Sequence, residues 1–420
     1  MSRRKVLGLV GAALGLTACG ATEKVDADGV TRLWYWPGGL SPVVLTEAAQ
    51  QFADRTALEP ALIEGDYRAQ LVDLLARGGD LPSIVGIKGE DMASLLPRAD
   101  LFADLHTLGA DEVSADYLSW KWQQASAPDN RLIGFPIDIG PTAMFYRSDL
   151  FARAGLPGEP AAVAAAIRTW DDLFDAGAQL RSKLPAVHLI RNAAELFTVM
   201  IYQGAQRYVD ETNHFIGDES HIRQAWDVAA QVVTRKLGAG IPKADEDGWK
   251  KGLADGTVAA VLGAVWLGFD LKSSAPDTTG RWRVAAGPAT GANYGGSFLA
   301  IPQAAAGHEL AFEIIKWLLA PDNLAQAFTD AALFPAAPST YDMPALVGAD
   351  PFFGGQQTVG IFAESARQAR RGYEAPADAD IHGAFVVQLD AYESGLKSAG
   401  DAWRDAVVRG RAIAVSMGVD

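Results

Sequence analysis

The residue types that carry covalent, metal or phosphate chemistry are present in this chain, but their spacing does not suit that chemistry. The six histidines stand at 106, 188, 214, 221, 308 and 382, with no pair at metal-ligand helical spacing. His308-Glu309 lacks the second histidine of a zinc-protease motif. There is no GxSxG, no P-loop and no GxGxxG between a strand and a helix. Asp245-Glu246-Asp247-Gly248 opens like a calcium loop, but Trp249 and Gly256 then fall where oxygen ligands are required. The single cysteine, Cys19, excludes an internal disulfide framework and any multi-cysteine metal site. Aromatic residues are the stronger resource: 11 Trp against 10 Tyr, with Trp34 and Trp36 ending an apolar run just before Gly38-Gly39.

These residues need elements to hold them. At 420 residues the chain is long enough for two or three domains. Hydrophobic residues at 49% and charged residues at 21% exclude bulk disorder. The formal charge of −15 argues against a nucleic-acid partner, which needs a basic face. The first half alternates expected strands (31–36, 61–64, 83–87) with helices (42–55, 67–76 and one reaching Leu96), the pattern of parallel βαβ units. Two more strands are expected at 131–135 and 142–147. The middle, 148–275, reads as mostly helical, with Thr169 capping a helix over 170–184. Thr257 to Phe269 is too short to span a bilayer and reads as a buried strand and its turn. Strands return at 282–286 and 298–301, followed by helices 309–319 and 322–330 and a helical tail from Asp380 to Met417. Asp378 and Asp380 are expected to cap a helix. This order predicts two α/β lobes joined by crossings near 139–144, 293–297 and after Pro335.

The first residues carry their own signal. Arg3, Arg4 and Lys5 precede an apolar run, and Leu16-Thr17-Ala18-Cys19 resembles a bacterial lipobox. Residues 1–18 are therefore expected to be a cleaved signal peptide, Cys19 a lipid-bearing residue, and 19–30 a flexible tether. Ser2-Arg3-Arg4 also looks like a twin-arginine signal, and a general secretion route fits as well. Cleavage leaves 33 basic against 51 acidic side chains, a charge of −18. The expected location is extracytoplasmic, anchored to the cell membrane by lipid.

Several stretches, in order, resemble the extracellular solute-binding proteins of carbohydrate ABC importers. They are Leu33 to Gly39; Tyr67 to Val85, with Ser83 where the family has Asp; Gly134-Phe135-Pro136; Ala143 to Leu156, with Arg147 in place of Asn; and Thr169-Trp170-Asp171-Asp172-Leu173. Gly256 to Trp266, Gly287-Pro288, Gly295 to Pro302 and Ile315 to Asp322 continue the series. The resemblance implies a two-lobed, periplasmic-binding-protein-like fold with hinge crossings, lobe 1 from 31–141 plus 296–340 and lobe 2 from 142–295 plus 341–420. It implies a monomeric, non-catalytic, cofactor-free protein that captures a sugar, an oligosaccharide above all, and delivers it to an ABC permease. The same fold binding a polyamine or another small solute, and a secreted glycosidase, are the alternatives.

A sugar presents apolar C–H faces and a rim of hydroxyls, so its site needs aromatic platforms and carboxylate or amide acceptors. On that implication the expected ligand-binding residues are Trp36, Asp66, Tyr67, Asp138, Trp266, Tyr294, Gly296, Ser297, Trp34 and Tyr373. Trp266 matches the family's tryptophan after the apolar strand, and Asp138 sits where the family approaches its ligand. Each has a plainer role open to it: core packing for Trp34 and Trp266, a helix N-cap for Asp66, a solvated turn for Asp138, a hinge turn for Gly295-Gly296. Trp249, Phe334 and Arg371 are weaker candidates.

Overall fold

The computed structural model describes residues 29–79, 81–369 and 372–420, so the expectations for 1–28, Cys19 among them, and for Arg371 lie outside the described residues. Two sheets organise it. The first has five strands in the order β2 (Ala57–Leu62), β1 (Val30–Tyr35), β3 (Ile84–Lys88), β9 (Ser297–Ala300) and β4 (Phe135–Pro136). β1 pairs parallel with β2 and β3, while β9 enters antiparallel between β3 and β4. The second is antiparallel, in the order β7 (Ala260–Ala264), β6 (Thr142–Arg147) and β8 (Trp282–Ala285). Between them β5 (Asp138–Ile139) pairs with β10 (Phe334–Pro335).

Local sequence explains these elements. The central strand β6 and its neighbour β7 at the sheet edge are both buried along their whole length, so this sheet is covered on both faces. β2 starts four residues before the expected position and contains Pro60. It tolerates the proline because, at the sheet edge, it needs partners on one side only. The expected strand 131–135 shrinks to Phe135–Pro136. The helix Trp170–Lys183 opens on a capping box in which Thr169 and Asp172 satisfy each other's backbone N–H. The expected helical tail is two helices, Asp378–Glu393 and Ala399–Ser416, with one break between them, where Gly395 turns the chain at φ +75° and Ser398 caps the second.

The chain passes between the sheets where β5 leads into β6, and the return segment before β9 runs alongside it. Gly140 N–H donates to Asn293 Oδ1 at 2.8 Å and Gly140 O accepts from Tyr294 N–H at 2.7 Å. A Cβ at Gly140 would lie 1.8 Å from the Tyr294 carbonyl oxygen, so only glycine permits this contact.

Three acids depart from or confirm their expected capping roles. Asp66 caps the helix Tyr67–Arg77, accepting from Ala69 N–H at 3.0 Å. Asp66→Ala should lower the unfolding free energy by about 1 kcal/mol in urea titration. Asp378 is not a cap. Its buried carboxylate accepts from the N–H groups of Tyr208, Val209 and Ala375, clamping two loops to its helix. Asp380 is drawn instead into an ion pair with Arg68 at 2.8 Å.

Candidate functional site

Two adjoining cavities lie where the sheets face each other. The outer cleft, about 460 Å³, is lined by Trp36, Asp138, Trp266, Tyr294, Gly296 and Ser297, with Lys88 and Asp270 among its other walls. The inner cavity, about 490 Å³, shares Glu90, Lys243, Trp266 and Tyr294 with it. Both volumes fall in the range of small-molecule sites.

Each lining side chain is placed by the end of an element. Trp36 follows β1 and is seated by close packing. A Cβ at Gly86 would come 2.6 Å from its ring, and Tyr67 meets it edge-on with ring centres 5.1 Å apart. Lys88 Nζ stands 5.5 Å from the centre of the same ring. Trp266 follows β7, and its ring is edge-on to Tyr294 at 5.7 Å. Tyr294 packs at 4.4 Å on Tyr202, whose other neighbour is the Arg207 guanidinium at 3.7 Å. The cleft thus has a run of aromatic faces along one wall.

Asp138 and Ser297 open β5 and β9. Ser297 Oγ donates to Asp138 Oδ1 at 2.6 Å. The carboxylate is 2% exposed, and burial raises its pKa to about 6, against the pull of Lys121 and of the Ser297 hydrogen bonds. Lys121 is fully buried. Burial lowers its pKa to about 8, opposed by Asp138. Its Nζ donates to Gln124 Oε1 at 3.1 Å and stands 3.8 Å from the centre of the Phe298 ring. Gly296 has φ +82°, and a Cβ there would meet the Asp138 carbonyl at 2.6 Å and Lys121 Nζ at 2.8 Å.

Polar contacts also join the two sides. Gln124 Nε2 donates to Glu374 Oε2 at 3.1 Å, while Glu374 Oε1 receives Arg207. Arg68, on a helix of the first side, pairs with Asp380 of the helix Asp378–Glu393 and with the buried Asp91 at 3.4 Å. The arrangement can hold a flat ligand with a hydroxylated rim, by aromatic contact and one deeply set carboxylate.

The structure therefore brings together Trp36, Asp138, Trp266, Tyr294, Gly296 and Ser297, and Trp249 lines the inner cavity. Asp66 is spent on its helix cap. Tyr67 lies beneath Trp36 in the core, its hydroxyl donating to the carbonyls of Trp34 and Gly86 at 3.1 and 2.9 Å. Trp34 packs against that core outside the cleft, and Phe334 is buried in β10. Tyr373 is half-buried next to Glu374, itself an inner-cavity residue. Sequence reasoning missed Glu90, Tyr202, Arg207, Lys243 and Glu374. They lie on elements with no motif, and only tertiary structure gathers them.

The sequence pattern of the bacterial extracellular solute-binding proteins matches residues 47–353. A lactose-binding protein of Rhizobium radiobacter is 25% identical over 373 residues, covering 84% of this chain and 86% of its own. A crystal structure of an extracellular solute-binding protein of family 1 superposes with a TM-score of 0.81 at 27% identity, covering 91% of this chain and 99% of its own. An ABC-transporter-associated binding protein from B. animalis subsp. lactis Bl-04, in complex with β-1,6-galactobiose, shares the fold at a TM-score of 0.75 and 21% identity, over 93% and 97% of the two chains.

Proposed function

The chain belongs to the bacterial extracellular solute-binding protein family, and from that premise we propose that it captures a saccharide, foremost an oligosaccharide, between its two lobes and delivers it to an ABC permease. One observation carries this reading: Trp36, Trp266 and the buried Asp138 come from three separate chain segments and converge on one cleft between the sheets. Aromatic faces with a fixed carboxylate are what a sugar ring requires. The sugar-binding relatives support the choice of ligand class. The lobes are residues 31–141 with 296–340 and 142–295 with 341–420. Ligand binding shifts them toward the closed form that the permease reads. The protein binds as a monomer and catalyses nothing. Asp66, one of the two acids a glycosidase reading would pair, sits on a helix cap and does not line the cleft with Asp138.

Thermal-shift and calorimetric titration against mono- and oligosaccharides test this reading. A rise in Tm with one sugar class, together with compaction in small-angle scattering, is expected. A flat response across a broad panel would sink it. The lipobox-like Leu16-Thr17-Ala18-Cys19 supports a lipid anchor at Cys19. In the native host, Cys19→Ala should move the protein out of the membrane fraction. An unchanged membrane share would refute lipidation there.

A further inference from the structure

The two cavities differ in chemistry. The surface of the inner one is largely apolar, with Val199, Leu262, Leu267, Val386 and Val387 among the aliphatic residues beside its aromatic and polar ones. Most polar groups of this cavity are already committed within the protein. Asp378 accepts three backbone N–H groups. Glu195 accepts from Leu262 N–H at 2.6 Å, and Glu374 is held between Arg207 and Gln124. Both ring nitrogens of His382 are engaged, with Tyr208 Oη at 2.7 Å and Thr198 Oγ1 at 3.1 Å. Arg207 Nη1 has no partner, but it is buried in the wall and not offered to the cavity. Among the described polar side chains that line this cavity, those without an internal hydrogen bond are Glu90, Lys243 and Tyr294, which also line the cleft, and Tyr202 and Asp390.

A sugar ring set against the apolar part of this cavity would trade water for apolar contact at the hydroxyls that face it, which is unfavourable. An apolar group would gain by the same exchange. The cavity adjoins the cleft, sharing Glu90, Lys243, Trp266 and Tyr294 with it, so one ligand is placed to reach both. We propose that the inner cavity receives an apolar substituent of the saccharide held in the cleft, so that the preferred ligand is a glycoside carrying a hydrophobic group. This rests on the carbohydrate reading above.

The test is calorimetric titration with matched methyl and p-nitrophenyl glycosides of galactose, glucose and arabinose. For whichever sugar binds, the p-nitrophenyl glycoside should bind at least about tenfold tighter than the methyl one. Gly383 lines the inner cavity on the helix Asp378–Glu393, and a Cβ there meets nothing within 4 Å. Gly383→Phe should therefore fold with an undiminished Tm, since phenylalanine suits a helix better than glycine. It should bring the aryl-to-methyl affinity ratio to about one. Equal affinities in the natural protein would overturn this inference and leave the carbohydrate reading intact. An aryl preference that survives Gly383→Phe would overturn the placement in the inner cavity. Silence of both series for every sugar would count against carbohydrate recognition itself, and this inference would fall with it.

Discussion

Trp266→Ala should weaken saccharide binding by about 100-fold while leaving the fold intact. Trp266 and Tyr294 are the aromatic residues common to both cavities, and Trp266 has the larger ring to offer a ligand in either. Losing a large flat face at the centre of a site costs about 2–3 kcal/mol, and that energy sets the fold-change. The structural penalty is smaller, because the ring's internal contacts are few: an edge-on meeting with Tyr294 at 5.7 Å and a long hydrogen bond to the Tyr294 carbonyl at 3.4 Å. Trp36→Ala should behave differently. Its ring is wedged against Gly39 and Gly86, rests on Tyr67 and carries Lys88, so more of its face is already used within the protein. Its removal should lower Tm more and affinity less. Calorimetry and thermal melting on both variants separate the two roles. Binding of Trp266→Ala within a few-fold of the natural protein would assign Trp266 to packing alone.

What sequence reasoning reached was local. The Thr169 N-cap, the strand 142–147 and the helix after Pro321 follow from patterns a few residues long, and the structure has them at or within a residue or two of the expected bounds. Trp36 was legible as a candidate because it follows the carboxyl end of β1, where an α/β fold exposes its ligands, whereas Asp138 and Ser297, which open β5 and β9, were reached through the family resemblance. The same logic selected Asp66 and Tyr67 after β2, where it did not hold. A helix start there needed an acceptor, and Asp66 supplied it. Tyr67 then turned inward, where the Trp34 and Gly86 carbonyls could take its hydroxyl. The sequence alone could not distinguish a strand-end residue that faces the cleft from one that supports it. The polar contacts across the cleft had no local signature. Gln124 and Glu374 are 250 residues apart, and Arg68 and Asp380 are 312 apart.

Asp138→Ala should abolish measurable sugar binding and also destabilise the protein by about 3–5 kcal/mol. The second effect comes from Lys121, which is fully buried and would lose its compensating charge. The double variant Asp138→Asn with Lys121→Met tests this directly. An apolar side chain in place of the buried ammonium should recover most of the stability, whereas binding should stay lost because the carboxylate is still missing. Recovery of both would show that Asp138 serves the fold and not the ligand. Acid gives an independent check, because its two effects have opposite signs. The Asp138 pKa is raised from 3.8 to about 6, chiefly by burial. Between about pH 4 and 6 the folded protein therefore holds a proton that the unfolded chain has released, and this group alone makes folding more favourable as the pH falls through that window. Affinity should move the other way, dropping by about tenfold below pH 6, since a protonated carboxyl is a weaker acceptor than a carboxylate. For stability the measurement is the difference between the natural protein and Asp138→Asn across pH 4–8, which cancels the other titrating groups, and affinity is titrated on the natural protein over the same range. A sugar affinity that is flat through pH 6 would place the ligand away from Asp138.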